Sequence, residues 1–169
     1  MRRSLLPALL SLVLTGCIID LDDGQRNPPP SEVAVGGLRW TAKAETYWTA
    51  PQRVQVKVVG HNPTDTTVTV SWGGNAAHFN VFRSETDEER IYSTRDENRS
   101  WFDVGYGKAV GPGDSVVLMT NADVPDITGE GVAGTYFLTA QVELAGFGED
   151  PPPFGSVRLP ELSAGDVLL

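Results

Sequence analysis

The sequence predicts an all-β domain, a β-sandwich of about seven to eight short antiparallel strands. Several runs alternate apolar and polar residues with period two, turn-forming residues separate those runs, and no stretch carries a helical apolar period over three turns. The elements follow in chain order. Leu38 to Glu45 is the first strand expected. In the next, Val54, Val56 and Val58 alternate with Gln55 and Lys57, and in the one after, Val68, Val70 and Trp72 alternate with Thr67, Thr69 and Ser71. Each run therefore has one apolar face. Between them, His61-Asn62-Pro63-Thr64-Asp65 has the residues of a turn, because Asn and Asp bond their own backbone and Pro fixes φ, so the two strands are expected to form an antiparallel hairpin.

His78 to Arg83, Arg90 to Thr94 and Ser115 to Thr120 are further strands. Thr135 to Leu144 gives the clearest alternation: Tyr136, Leu138, Ala140, Val142 and Leu144 line one face, and Thr135, Thr139, Gln141 and Glu143 the other. It is expected to be central. Phe154 to Leu159 follows the Pro151-Pro152-Pro153 break and is interrupted by Gly155. The expected core includes Trp40, Val56, Val70, Trp72, Leu138, Ala140 and Val142.

The chain has 169 residues and begins with a basic Met-Arg-Arg, an apolar run from Leu5 to Leu14, and small residues before Cys17. That order is a secretory leader, and the run is too short for a permanent bilayer span. Leu14-Thr15-Gly16-Cys17 resembles the lipobox of bacterial lipoproteins. The resemblance implies that the Cys17 thiol receives a diacylglyceryl group, that a peptidase cuts before it, and that the new amino terminus is acylated. Cys17 is the chain's only cysteine. Two or more acyl chains hold a protein stably at a membrane, so no second membrane element is needed.

Residues 1–16 are thus expected to be a lipoprotein signal peptide, 17–36 a flexible acidic and Pro-rich tether, 37–160 the sandwich, and 161–169 a C-terminal tail. Losing Arg2 and Arg3 with the leader reduces thirteen basic residues to 11, against 22 acidic ones, a formal charge of −11. Such a domain is repelled by phosphate backbones and anionic headgroups, which argues against nucleic acid. With no thiol beyond the anchor, stability has to come from a hydrophobic core. Asp20-Leu21-Asp22-Asp23-Gly24 looks like the start of a calcium loop but lacks its ligand spacing and closing Glu.

Three features occur in an order that resembles the BsuPI-like family, the intracellular proteinase inhibitor domain. Val58-Val59-Gly60-His61-Asn62-Pro63-Thr64 leads through Val68-Thr69-Val70-Ser71-Trp72 to the Gly-rich connection and aromatic strand ending Phe79-Asn80-Val81-Phe82. Val110-Gly111-Pro112-Gly113-Asp114 is similar to the family's apolar-x-Pro-Gly-acid turn, and Ala133-Gly134-Thr135-Tyr136-Phe137-Leu138-Thr139-Ala140 to its closing strand. The sequence departs from the family at Arg90-Ile91-Tyr92-Ser93-Thr94, where a Trp-containing strand belongs, and at Ala133, where Pro belongs. The likeness covers about Val54 to Leu144 and implies an immunoglobulin-like sandwich with protease inhibition as one activity. Likeness of fold does not carry function with it.

The chemistry-bearing residues are few. His61 and His78 are the only histidines, and they lack the short ligand spacing of a metal site. There is no Gly-x-Ser-x-Gly elbow. No cofactor, metal or enzymatic activity is therefore expected. Tyr136, two residues after Gly134, resembles the tyrosine corner of Greek-key sandwiches, a structural role. Trp48 and Trp101 stand in less regular segments, where aromatics favour interfaces. Two loops are the candidates for partner recognition: the charge-dense Ser84 to Ser100, with Glu85, Asp87, Glu88, Glu89, Asp96 and Glu97 among Arg90, Arg95 and Arg99, and the Pro-stiffened Gly146 to Phe154. The expectation is an extracytoplasmic protein held on the outer or plasma membrane through Cys17. Its sandwich acts as a binding or structural module toward an envelope component, or as an inhibitor toward a protease.

Overall fold

Val54, Val56 and Val58 are fully buried while Gln55, Lys57 and Val59 between them reach the opposite side, which makes Arg53–His61 (β3) the middle of the first sheet. The computed structural model describes residues 26–47, 51–96, 105–128, 133–148 and 157–169. On one side of β3 runs Leu38–Tyr47 (β2), itself paired with Glu32–Val35 (β1); on the other runs Ser115–Asp123 (β8), and every pairing is antiparallel. The turn from β1 to β2 uses Gly36 and Gly37, both at positive φ (62° and 80°), the backbone of a tight hairpin turn. Trp40 is fully buried and lies across Gly60 on the neighbouring strand, where a Cβ would stand 2.8 Å from the indole. Only glycine permits that contact. The Trp40 Nε1–H donates to the Val35 carbonyl at 3.2 Å, so burial leaves its polar atom satisfied.

The second sheet is organised around Thr135–Leu144 (β9), the expected central strand. Ala77–Phe82 (β5) pairs with one edge, and Leu162–Leu168 (β12) with Val157–Arg158 (β11) share the other. The pairing of β5 with β9 continues past residues 73–76 as Val68–Trp72 (β4) against Gly146–Phe147 (β10). Tyr106–Val110 (β7) lies along β4, and Tyr92–Ser93 (β6) along β5. A five-residue helix, Val124–Thr128 (α1), follows β8. Inner residues of both sheets, including Leu38, Val116, Leu118, Phe79, Val81, Leu138, Val142 and Leu162, form one core. The protein is all-β, an antiparallel sandwich, as the alternation predicted.

Several local expectations are corrected. The strands β3 and β4 do not form a hairpin: β3 already has both edges occupied by β2 and β8, and β4 lies in the other sheet between β7 and β10. The Asn62 loop is an arch between layers. Residues 161–169 are not a tail, because β12 pairs with β9 and buries Leu162, Ala164 and Val167. A register shift at Ser163/Gly165, with Gly165 at φ 88°, breaks its period and hides it from pattern reading. The segment assigned to the tether contains β1, and the Pro30 carbonyl accepts from the Ser163 N–H at 2.9 Å. Of the expected core residues, Trp72 is only partly buried, stacked on exposed Tyr106 at 6.2 Å. Of the Arg90 to Thr94 run, only Tyr92–Ser93 is strand, and β7 has no alternation that would have announced it.

The largest departure concerns the second face of β9. Thr139, expected on the solvent side, is fully buried, and Phe137 is 4% exposed; all six residues of β5 are buried as well. This sheet is covered on both faces at its centre. Substituting Leu138 by Ala is expected to cost about 2–5 kcal/mol through lost transfer energy and a cavity. Gly60→Ala is expected to cost about 1–3 kcal/mol by driving a methyl into Trp40, whereas Val117→Thr on the exposed face of β8 stays within about 0.5 kcal/mol. Urea midpoints of the three variants check the ranking, and an unshifted Gly60→Ala midpoint would contradict the packing described.

Candidate functional site

The group that covers the second face of β5 and β9 is a carboxylate. Asn80 on β5 and Thr139 on β9 are cross-strand partners, and they continue a polar row with Ser93 on β6 and Ser163 on β12. Glu161, just before β12, reaches over this row. Its Oε1 accepts from Asn80 Nδ2 at 3.0 Å and from the Thr139 hydroxyl, and its Oε2 is ion-paired with the Arg26 guanidinium. The same guanidinium lies 4.1 Å from the centre of the Phe82 ring, a cation–π contact. Arg26 and Glu161 are 17% and 25% exposed at their side chains, so the pair is largely desolvated. The segment from Arg26 to Ser31 thus lies as a strap across the outer face, held at one end by this pair and at the other by the Pro30–Ser163 hydrogen bond.

Burial pushes the Glu161 carboxyl up, but the hydrogen bonds from Thr139, Asn80 and Arg26, together with the Arg26 charge, outweigh it and hold the group below its ordinary value. Glu143 behaves alike: burial raises it, and Arg158, Arg95 and His78 together bring it down. On the outer face of the first sheet, Lys57 at 2.9 Å, Lys43 at 3.2 Å and the Tyr47 hydroxyl at 3.0 Å lower half-buried Glu45 to about 2. All three shifts run toward permanent ionisation, which suits ion pairing and not proton transfer near neutral pH.

The residues singled out in the sequence are scattered. Cys17, Trp48 and Trp101 lie outside the described residues. His61 ends β3 on the surface, its Nδ1 3.3 Å from Ser115 Oγ, while His78 is buried in β5 of the other sheet. The structure does not bring them together. Among the described residues no cluster of three His, Cys, Asp or Glu side chains suits a metal ion, and no helix is long and apolar enough to cross a membrane. Tyr136 is buried on the inner face of β9 beside Gly134, in keeping with a structural tyrosine.

Of the charge-dense loop, residues 84–96 are described. Four of its charged side chains have partners: Asp87 accepts from the Ser84 N–H at 3.0 Å, Arg90 pairs with Asp96 at 3.0 Å, and Arg95 reaches Glu143 on β9 at 2.9 Å. Arg83, Asp87, Glu89 and Ile91 line a shallow open concavity there. The second candidate loop is partly inside the sheet, since Gly146–Phe147 is β10 and the Phe147 ring occupies the space beside Gly36. Residues 149–154 lie outside the described residues. The structure does join two of the sequence motifs: the Asn62 side chain donates to the Val110 carbonyl at 2.9 Å, and its backbone exchanges hydrogen bonds with Gly113 and Asp114.

No family model matches the chain, and no curated protein matches it. The likeness to the BsuPI-like domain therefore rests on the three motifs alone.

Glu161 has its lowered pKa only in the folded state, so its charge stabilises the fold above the ordinary carboxylate value of 4.5, and that contribution is lost as pH falls below it. Glu161→Gln is expected to cost about 1–3 kcal/mol at pH 7. The gap between variant and wild type narrows progressively below pH 4.5. Urea titrations at several pH values measure it, and a gap independent of pH would rule out the charge as its origin.

Proposed function

We propose that the protein is a lipid-anchored module of the bacterial cell envelope, attached through Cys17, whose sandwich binds a protein partner and performs no catalysis. The observation that carries the reading is the leader itself: a basic start, an apolar run and Leu14-Thr15-Gly16-Cys17, with the chain's only thiol at the cut. The site geometry supports the second half. Its carboxylates are held in ion pairs, and Glu161 sits beneath a strap of the chain itself. A formal charge of −11 after removal of the leader favours a basic or neutral partner surface. The location implied is extracytoplasmic, on the outer or the plasma membrane.

A second reading, proteinase inhibition, draws on the three ordered motifs. Titrating a panel of serine proteases with the full chain separates the two: stoichiometric loss of activity supports an inhibitor, and undiminished activity supports the binding module.

The anchor is tested by growing cells expressing the chain with a radioactive fatty acid. Label is expected on the wild type and absent from Cys17→Ser, since no other thiol can form the thioether. Label retained on the serine variant would overturn the lipoprotein reading.

A further inference from the structure

We propose that the groove over Glu161, Asn80, Thr139 and Phe82 is a docking site for an arginine on an extended segment of a protein partner, and that Arg26 is its intramolecular occupant. The inference deepens the binding-module reading and rests on it, but it does not depend on the lipid anchor.

The groove has the parts that a guanidinium requires. A carboxylate fixed by two buried neighbours, Asn80 at 5% exposure and Thr139 at 0%, presents its second oxygen outward. An aromatic face stands beside it, at 4.1 Å from the guanidinium carbon. A carboxylate held by an amide and a hydroxyl cannot turn away, so the acceptor is pre-organised before any cation arrives. A planar guanidinium can use the carboxylate and the ring face at once, which an ammonium does less well.

The present occupant fits this groove incompletely. Arg26 Nη1 is buried and has no hydrogen-bond acceptor, a costly state for a charged donor. The strap behind it is Pro28-Pro29-Pro30, which has no N–H groups and cannot pair as a strand along β12. Besides the ion pair, the strap is anchored through its backbone by the Pro30 carbonyl, which accepts from the Ser163 N–H at 2.9 Å. Arg26 holds its place through proximity, because a tethered group competes at a high effective concentration. A partner segment that offers an arginine, an acceptor for the Nη1 position and free backbone N–H groups replaces it with fuller satisfaction.

The probe is a labelled peptide of residues 24–32, Gly-Gln-Arg-Asn-Pro-Pro-Pro-Ser-Glu, added to the full chain and read by fluorescence anisotropy. The Arg26→Ala chain, confirmed folded by cooperative unfolding, is expected to bind it at least about tenfold more tightly than wild type, because the competing side chain is gone. Binding is expected to disappear when the peptide's arginine is replaced by alanine, or when Glu161→Gln is added to the chain. Should Arg26→Ala not fold, Arg26→Lys preserves the charge but loses the planar fork, and it too is expected to bind the peptide more tightly than wild type. A folded Arg26→Ala or Arg26→Lys chain that binds no better than wild type would overturn the proposal and reduce the contact to an internal clip. That result leaves partner binding elsewhere on the domain intact, since it is read with a synthetic peptide on folded protein.

Discussion

The sandwich depends on one buried amide. Asn62 is fully buried, and every hydrogen-bonding group that it owns is used. Its Nδ2 donates to the carbonyls of Thr66 and Val110, its Oδ1 accepts from the amide and hydroxyl of Thr64, and its backbone N–H and C=O bond to Asp114 and Gly113. Two crossings between layers meet here, from β3 to β4 and from β7 to β8. A chain that leaves one sheet for another gives up its ladder hydrogen bonds at the crossing, and at the buried position of Asn62 water does not replace them. Asn62 supplies the replacements for both at once. It lets the valines of β3 and Val70 of β4 face each other across the core instead of lying side by side in one sheet.

At the other face of the molecule the problem is reversed. The centre of the second sheet has Phe82, Asn80, Phe137 and Thr139 on its outer side, more apolar and less charged than a solvated face. The chain covers it with its own two end segments: Glu161 leads into β12, and Arg26 leads toward β1. Their pairing joins positions 135 residues apart. A partly buried ion pair gains little unless its remaining polar atoms are satisfied. Glu161 meets that condition through Asn80 and Thr139; Arg26, with one nitrogen unpaired, does not. The asymmetry places the stiffness on the carboxylate side of the contact and the freedom on the arginine side.

How much of this was legible in the sequence follows from which forces leave a period. The strand β3 is readable because water on one side and core on the other enforce alternation, and β9 because its inward series Leu138, Ala140 and Val142 is apolar throughout; these residues and Val56 stand where the pattern puts them. The strand β7 lies exposed along most of its length and β12 carries a bulge at Gly165, so neither keeps a period of two. Whether β3 and β4 form a hairpin or an arch cannot be read from alternation, since both put the same residues inward; the difference lies in the bonds of Asn62. The Arg26–Glu161 groove leaves no mark in the sequence for a related reason. Its charged members stand in segments whose composition is that of a tether and a tail, and Thr139 has an outward position in the pattern that later chain covers over. The pattern did find the two turns that Asn62 joins, without revealing that they touch.

The strap also determines how the domain would respond to force. Tension applied from the N-terminal side of Arg26 would meet the Arg26–Glu161 pair first and the Pro30–Ser163 hydrogen bond next. Beyond them, β1 is loaded at Glu32, opposite Thr41, the end of the hairpin farthest from the Gly36–Gly37 turn. Pulled there away from β2, the hairpin opens like a zipper, one pair at a time, whereas a pull along the strand loads its whole length in shear. Peeling residues 26–35 releases roughly 35 Å of chain, while the Trp40–Gly60 contact and the Asn62 arch stay closed behind it. The N-terminal side of the domain is thus built to yield in steps, a spring in series with a rigid body.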